Sequence, residues 1–221
     1  MKLALFDCDG TLVDSQGAIV ASMAAAFGSE GLVSPDAHAV RRVVGLPLEV
    51  GIARLAPAAD DATVARLDQA YRDAFYRLRT AEGFHEPMFD GIDEAVAELD
   101  AAGVLLGIAT GKARRGLNAT LERHGLLPHF VTLQTSDTAP GKPHPGMALQ
   151  ALAETGVAAE DAVMIGDTVY DVAMARAAGL KATIGVAWGY HDADELRAAG
   201  AARIAVTPRE LPALVAELLE T

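Results

Sequence analysis

Two aspartates one residue apart close the first apolar run of the chain, in the string Asp7-Cys8-Asp9-Gly10-Thr11. Side chains alternate along an extended backbone, so both carboxylates face one way and Cys8 the other. Held about 4 Å apart at an effective dielectric near 20, two such charges repel by roughly 4 kcal/mol. A cation therefore belongs beside them. Gly10 lets the backbone turn and approach a ligand closely, and Thr11 adds a hydroxyl and an amide. The Asp-x-Asp-x-Asp-Gly pattern of a calcium loop, with its later glutamate, is absent.

Three further stretches carry chemistry-bearing residues. In Ile108-Ala109-Thr110-Gly111-Lys112 an apolar run ends in a hydroxyl and a glycine ahead of a helical pattern. The Thr110 hydroxyl and the Gly111 amide can both donate to phosphate oxygens there. A nucleotide-binding P-loop is excluded, because Gly107 to Gly111 is one residue too short and Ala113 stands where serine or threonine is required. Gly141-Lys142-Pro143-His144-Pro145 displays one lysine on a turn that two prolines stiffen. The run Val163-Met164-Ile165-Gly166 ends in Asp167, with Asp171 four residues later. Carboxylates at that spacing share one helical face, and either can cap the helix.

The elements that must position these residues follow from the hydrophobic pattern. Strands are expected at Lys2 to Phe6, Val104 to Ala109, Phe130 to Leu133, Ala162 to Ile165, Ala182 to Val186 and Arg203 to Val206. Helices are expected between them, near Ile92 to Ala102, Arg114 to His124, Pro145 to Thr155, Val169 to Ala178, Asp192 to Ala199 and Arg209 to Leu219. Several stop at a glycine, where a left-handed cap costs least. This alternation predicts an α/β, Rossmann-like, doubly wound parallel sheet, in which Asp7, Asp9, Thr110, Lys142, Asp167 and Asp171 meet at the carboxyl ends of the strands.

Residues 16–86 break the rhythm with helical patterns and no convincing strand. They read as an α-helical cap domain inserted into a core formed by 1–15 and 87–221. Helices are expected at Gly17 to Gly28, Pro35 to Val43, Pro47 to Leu55 and Asp60 to Thr80. The last has an apolar stripe through Val64, Leu67, Tyr71, Phe75 and Leu78, which reads as packing.

In this order, these residues resemble the four sequence motifs of the haloacid dehalogenase superfamily of phosphotransferases, over essentially the whole chain. The resemblance implies a Mg²⁺-dependent phosphatase. Asp7 would be the nucleophile that forms an aspartyl-phosphate, and Asp9 the acid that protonates the leaving alcohol and then activates water. Thr110 and Lys142 would hold the phosphoryl group, with Gly10, Thr11 and Gly111 also at the substrate. Asp7, Asp167 and the Asp9 carbonyl would bind Mg²⁺, with Asp171 beside it. Many relatives have asparagine where this chain has Gly111, which leaves the contact there to the backbone amide and to Lys112. The likeness is greatest to phosphoglycolate phosphatase-like members, so phosphoglycolate is the leading substrate expectation.

Rival activities separate on single residues. Asp9 counts against dehalogenation, and residues 16–86 hold no lysine for phosphonate cleavage through an imine. A β-phosphoglucomutase-like sugar phosphomutase keeps both aspartates, and Arg41, Arg42 and Arg54 could meet a second phosphate. A non-catalytic binding module of the same fold would need a degenerate site, and no catalytic position is degenerate.

Composition narrows the partners. The 221 residues suit one buried core plus an insertion. Apolar residues make up 51% of them and aromatics 5%, which fits a packed fold and not a disordered chain. With 18 basic and 30 acidic side chains the net charge is −12, so nucleic acid is repelled, while a local cation can still admit a small phosphorylated metabolite. The single cysteine, Cys8, permits no intrachain disulfide. No basic leader or membrane-length apolar run is present, so a cytoplasmic protein without membrane association is expected. The six histidines have no zinc-ligand spacing. Monomer and homodimer both remain open.

Overall fold

The computed structural model describes residues 1–220. In chain order the elements are β1 (Leu3–Phe6), α1 (Gln16–Ser29), α2 (Ala37–Val43), α3 (Leu48–Leu55), α4 (Asp61–Thr80), α5 (Ile92–Ala101), β2 (Leu105–Thr110), α6 (Arg114–Arg123) and β3 (Phe130–Thr135). They continue as α7 (Gly146–Thr155), β4 (Ala162–Gly166), α8 (Val169–Ala177), β5 (Ala182–Val186), α9 (Ala193–Ala199), β6 (Arg203–Ala205) and α10 (Leu211–Glu220). Each expected strand and helix is present, with shifted ends. The largest differences are β3, which runs on to Thr135, and a 3₁₀ turn at Pro208–Glu210 ahead of α10.

The six strands lie in the order β3-β2-β1-β4-β5-β6, and every pairing is parallel. Chain direction across the sheet reverses at β1, whose neighbours are β2 and β4. A crevice opens outside the carboxyl ends at such a switch point.

Alternation along β1 separates two cores. Ala4 and Phe6 join α5, α6 and α10 through Val96, Leu117 and Val215. Leu3 and Leu5 join α7 and α8 on the other face, through Met147 and Met174. Asp7 continues the second set, which aims its carboxylate at the face that carries α7 and α8. Cys8 is buried in the first core, as the alternation predicts.

Helices α1 to α4 close around a third apolar cluster that includes Met23, Phe27, Ile52 and Leu67. The chain leaves for this helical layer and returns from it through two hydrogen-bonded segments. Asp14 N donates to Pro87 O at 2.8 Å, Phe89 N donates to Leu12 O at 3.1 Å, and Val13 bridges Met88. No helix among the described residues is long and apolar enough to cross a membrane.

Candidate active site

The ends of β1 and β4, the Lys142 turn and the first turn of α8 converge on one buried cluster. Lys142 Nζ lies 2.7 Å from Asp7 Oδ2 and 2.6 Å from Asp171 Oδ1, with none of its surface exposed. Both are ion pairs by distance, at angles away from hydrogen-bond alignment. The remaining carboxylate oxygens are fixed by the backbone and by hydroxyls. Asp7 Oδ1 accepts from Cys8 N at 2.7 Å. Asp167 accepts from Thr11 Oγ1 at 2.9 Å and from Tyr190 N at 3.0 Å. Asp171 Oδ2 accepts from the Thr168 amide and hydroxyl, forming the capping box of α8.

One oxygen from each of Asp7, Asp167 and Asp171 lies within 4.8 Å of the others. Three buried carboxylates at this spacing, with one ammonium between two of them, suit a hard divalent cation such as Mg²⁺. Their proton affinities point the same way. Burial pushes the Asp7 carboxyl up to about 6; Lys142 opposes the rise and Asp171 adds to it. Asp167 is also raised well above the usual carboxylate range, by burial and then by Asp7 and Asp171.

A carboxyl whose folded pKa exceeds its unfolded value penalises the ionised folded state. Without metal, the Asp7 contribution to stability should therefore fall as pH rises from 3.8 through about 6. A cation that binds only the folded state restores about 2.7 kcal/mol at 100 times its Kd. Thermal unfolding with and without Mg²⁺ at pH 5 and pH 7.5 checks this. The Mg²⁺-induced rise in Tm should be larger at pH 7.5; equal shifts at both would contradict it.

Asp9 has its own lysine. Lys112 Nζ lies 2.6 Å from Asp9 Oδ1 and 3.1 Å from Glu86 Oε1, and Ser15 Oγ donates to the same Asp9 oxygen. Burial works against the Lys112 charge, but Asp9 and Glu86 together hold its pKa above the ordinary lysine value. Glu86 is buried and further held by the Thr120 hydroxyl at 2.8 Å and by Arg123. Lys112 is thus an ion-pair partner of Asp9 in this arrangement. The cation that the paired aspartates demanded turns out to be two lysines from different loops.

Thr110 is buried at the end of β2 and, with Gly111, borders the cavity above Asp7 and Asp9. Thr11 does not border it, because its hydroxyl is committed to Asp167. Gly10 acts through the space it leaves. A Cβ there would stand 2.3 Å from Asp167 Oδ2, and its φ of 84° disfavours any side chain. Gly10→Ala should displace Asp167, costing about 1–3 kcal/mol of stability and roughly 10²-fold or more in turnover. Phosphate release and a melting curve read both effects; parent-like turnover would refute the placement.

Several contributors escaped sequence reasoning. Gly189 packs so closely under Asp167 that a Cβ would lie 2.1 Å from Asp167 Cβ, and the Tyr190 amide beside it donates to that carboxylate. The only trace in the sequence is a glycine just beyond a strand. Glu86 and Ser15 carried no signal, since neither belongs to a motif.

The helical layer closes over the crevice through Gly45, Leu46 and Pro47. The carbonyl of Leu46 approaches Gly111, Pro47 packs on Gly141, and Gly45 meets Thr168. Two of the three arginines weighed as second-phosphate ligands are used here. Arg42 pairs with Glu195, and Arg54 donates to the Tyr170 hydroxyl at 3.0 Å. The α4 stripe also departs from pure packing. Val64 and Leu67 are buried in the helical core, but Tyr71 and Phe75 border the cavity and Leu78 is exposed.

Residues 4–185 match the haloacid dehalogenase-like hydrolase family. The chain is similar to a protein named "Probable phosphatase IndB" from Dickeya dadantii, 38% identical over 89% of this chain and 86% of that one. It is also similar to the phosphoglycolate phosphatase of Xanthomonas campestris, 33% identical over 88% and 86%. A crystal structure described as a predicted phosphatase from Clostridium acetobutylicum superposes with a TM-score of 0.85 at 29% identity, covering 100% and 99% of the two chains. By sequence and by fold, this chain belongs to the haloacid dehalogenase-like hydrolases.

Proposed function

We propose that this protein is a Mg²⁺-dependent phosphatase that hydrolyses a small phosphate monoester through an aspartyl-phosphate on Asp7. The observation that carries the reading is the switch-point carboxylate of Asp7, 2.7 Å from the buried Lys142 and grouped with Asp167 and Asp171. Mg²⁺, when bound, would be held by Asp7, Asp167 and the Asp9 carbonyl with Asp171 beside it, and would supply positive charge for the phosphoryl group.

The chain's own residues do the rest. An Asp7 oxygen attacks phosphorus, the ester P–O bond breaks, and the leaving oxygen takes a proton from Asp9. Water then attacks the aspartyl-phosphate and gives its proton back to Asp9, which releases inorganic phosphate and restores Asp7. Lys112 and Ser15 both engage Oδ1 of Asp9, leaving Oδ2 for this exchange. Thr110, the Gly111 amide and Lys142 hold the transferring group.

The engagement of Arg42 and Arg54 by Glu195 and Tyr170 disfavours the phosphomutase alternative. Phosphoglycolate, the substrate named for several relatives, is the reference ester. With Mg²⁺, phosphate release is expected from a panel of small phosphate esters, and excess EDTA should abolish it. Isomerisation of a hexose 1-phosphate without phosphate release, or no release from any ester, would defeat the reading.

A further inference from the structure

The cavity that opens from Asp7, Asp9 and Thr110 toward the helical layer has a volume of about 310 Å³. That is the low end of the roughly 300–1,000 Å³ that holds a drug-sized ligand, and far more than a two-carbon acid beside a phosphate requires. Its walls are apolar where they leave the phosphate end. Met23 from α1, Val40 and Val43 from α2, Leu48 from α3, and Tyr71 and Phe75 from α4 all border it. Phe75 and Tyr71 stack with ring centroids 5.9 Å apart, and part of the pair stays uncovered beside the cavity.

The polar groups in the same walls are mostly engaged. Ser136 donates to Gly111 O at 2.9 Å, Lys112 is held between Asp9 and Glu86, and Arg72 pairs with Asp68. Arg79 and Arg115 also border the cavity; neither has a carboxylate partner among the described residues, and both lie over the exposed Tyr76 ring.

We propose that the substrate's leaving group is a predominantly apolar alcohol, an alkyl chain or ring larger than glycolate, which the α1–α4 face of the cavity binds. This rests on the phosphatase reading and specifies the substrate class for the same site. Phosphate is held by the strand ends, and affinity for one ester over another comes from apolar surface covered by the helical layer.

A homologous series of n-alkyl phosphates from ethyl to hexyl tests it, because the leaving alcohols differ little in intrinsic reactivity. In the presence of Mg²⁺, kcat/KM should rise about fourfold per added methylene, or roughly 250-fold across the series. Val43→Asp should flatten that slope whatever it does to the overall rate. A flat series or a slope that survives Val43→Asp would overturn the proposal and leave the phosphatase standing.

If no ester is turned over, the phosphatase reading fails separately, and calorimetry with ethyl- and hexylphosphonate decides the cavity. Hexylphosphonate should bind roughly 250-fold more tightly. Equal affinity would overturn the proposal by this route too.

Discussion

Asp7→Asn should release phosphate at least on the order of 10⁴-fold more slowly than the parent, and should yield no hydroxylamine-sensitive phosphoenzyme after acid quench. Losses of that size accompany deletion of a nucleophile, because the covalent route disappears and binding alone remains. The substitution keeps the side chain's shape, so Cys8 N still finds an oxygen acceptor and Lys142 still has Asp171. Burial disfavours the Asp7 charge, the cause that pushes its carboxyl up to about 6. The metal-free variant should therefore melt near or above the parent at neutral pH, which separates a chemical defect from unfolding. Its Mg²⁺-induced rise in Tm should shrink, since one carboxylate of the cluster is gone. Intact mass after quench, phosphate release and melting curves make the three measurements. Parent-like turnover in a homogeneous preparation would end the mechanism.

Lys142→Met should cost both stability and activity. Lys142 is fully buried between Asp7 and Asp171. Burial alone would strip its proton, but Asp171 and Asp7 together raise its pKa above the ordinary lysine value. Removing the ammonium strands two buried carboxylates, a loss of about 3–5 kcal/mol. For a chain of this length that is on the order of 10 °C in Tm. Turnover should fall roughly 10²- to 10³-fold, the usual cost of one preorganised charge in the transition state. Lys142→Met combined with Asp171→Asn removes one stranded carboxylate, so part of the lost stability should return while turnover stays low. A single variant as stable as the parent would mean that Lys142 does not neutralise this cluster.

Both experiments concern residues that sequence reading had singled out, and the reason is local. Asp7, Thr110 and Asp167 each stand at the end of an apolar run whose length and composition mark it as a strand. In a parallel sheet, strand ends on one edge must gather. Alternation along Leu3 to Phe6 likewise foretold that Cys8 would turn from Asp7 into the core. The helical stretch through residues 16–86 was legible because its apolar residues repeat at helical spacing without an intervening strand.

Pairings across the chain were not legible. Asp9 and Lys112 are separated by 103 residues, and Lys112 meets Glu86 from the returning segment of the helical layer. No short-range pattern encodes such a contact, since it depends on how two layers dock. Phe75 shows the same limit: helical spacing placed it on the apolar face of α4, but that face is longer than the core it covers. Its buried end packs on α1, and its far end faces a cavity bordered by the loops at the strand ends.

The chain's order of apolar runs, turns and acids thus determined the α/β architecture, the edge of the sheet that bears the site, and the side chains that meet there, because all depend on local periodicity and strand direction. Tertiary structure alone decided which lysine neutralises which aspartate, where Arg42 and Arg54 are engaged, and that the helical layer presents an apolar wall to the crevice. Those outcomes depend on the packing of surfaces far apart in sequence, where neither propensity nor spacing carries information.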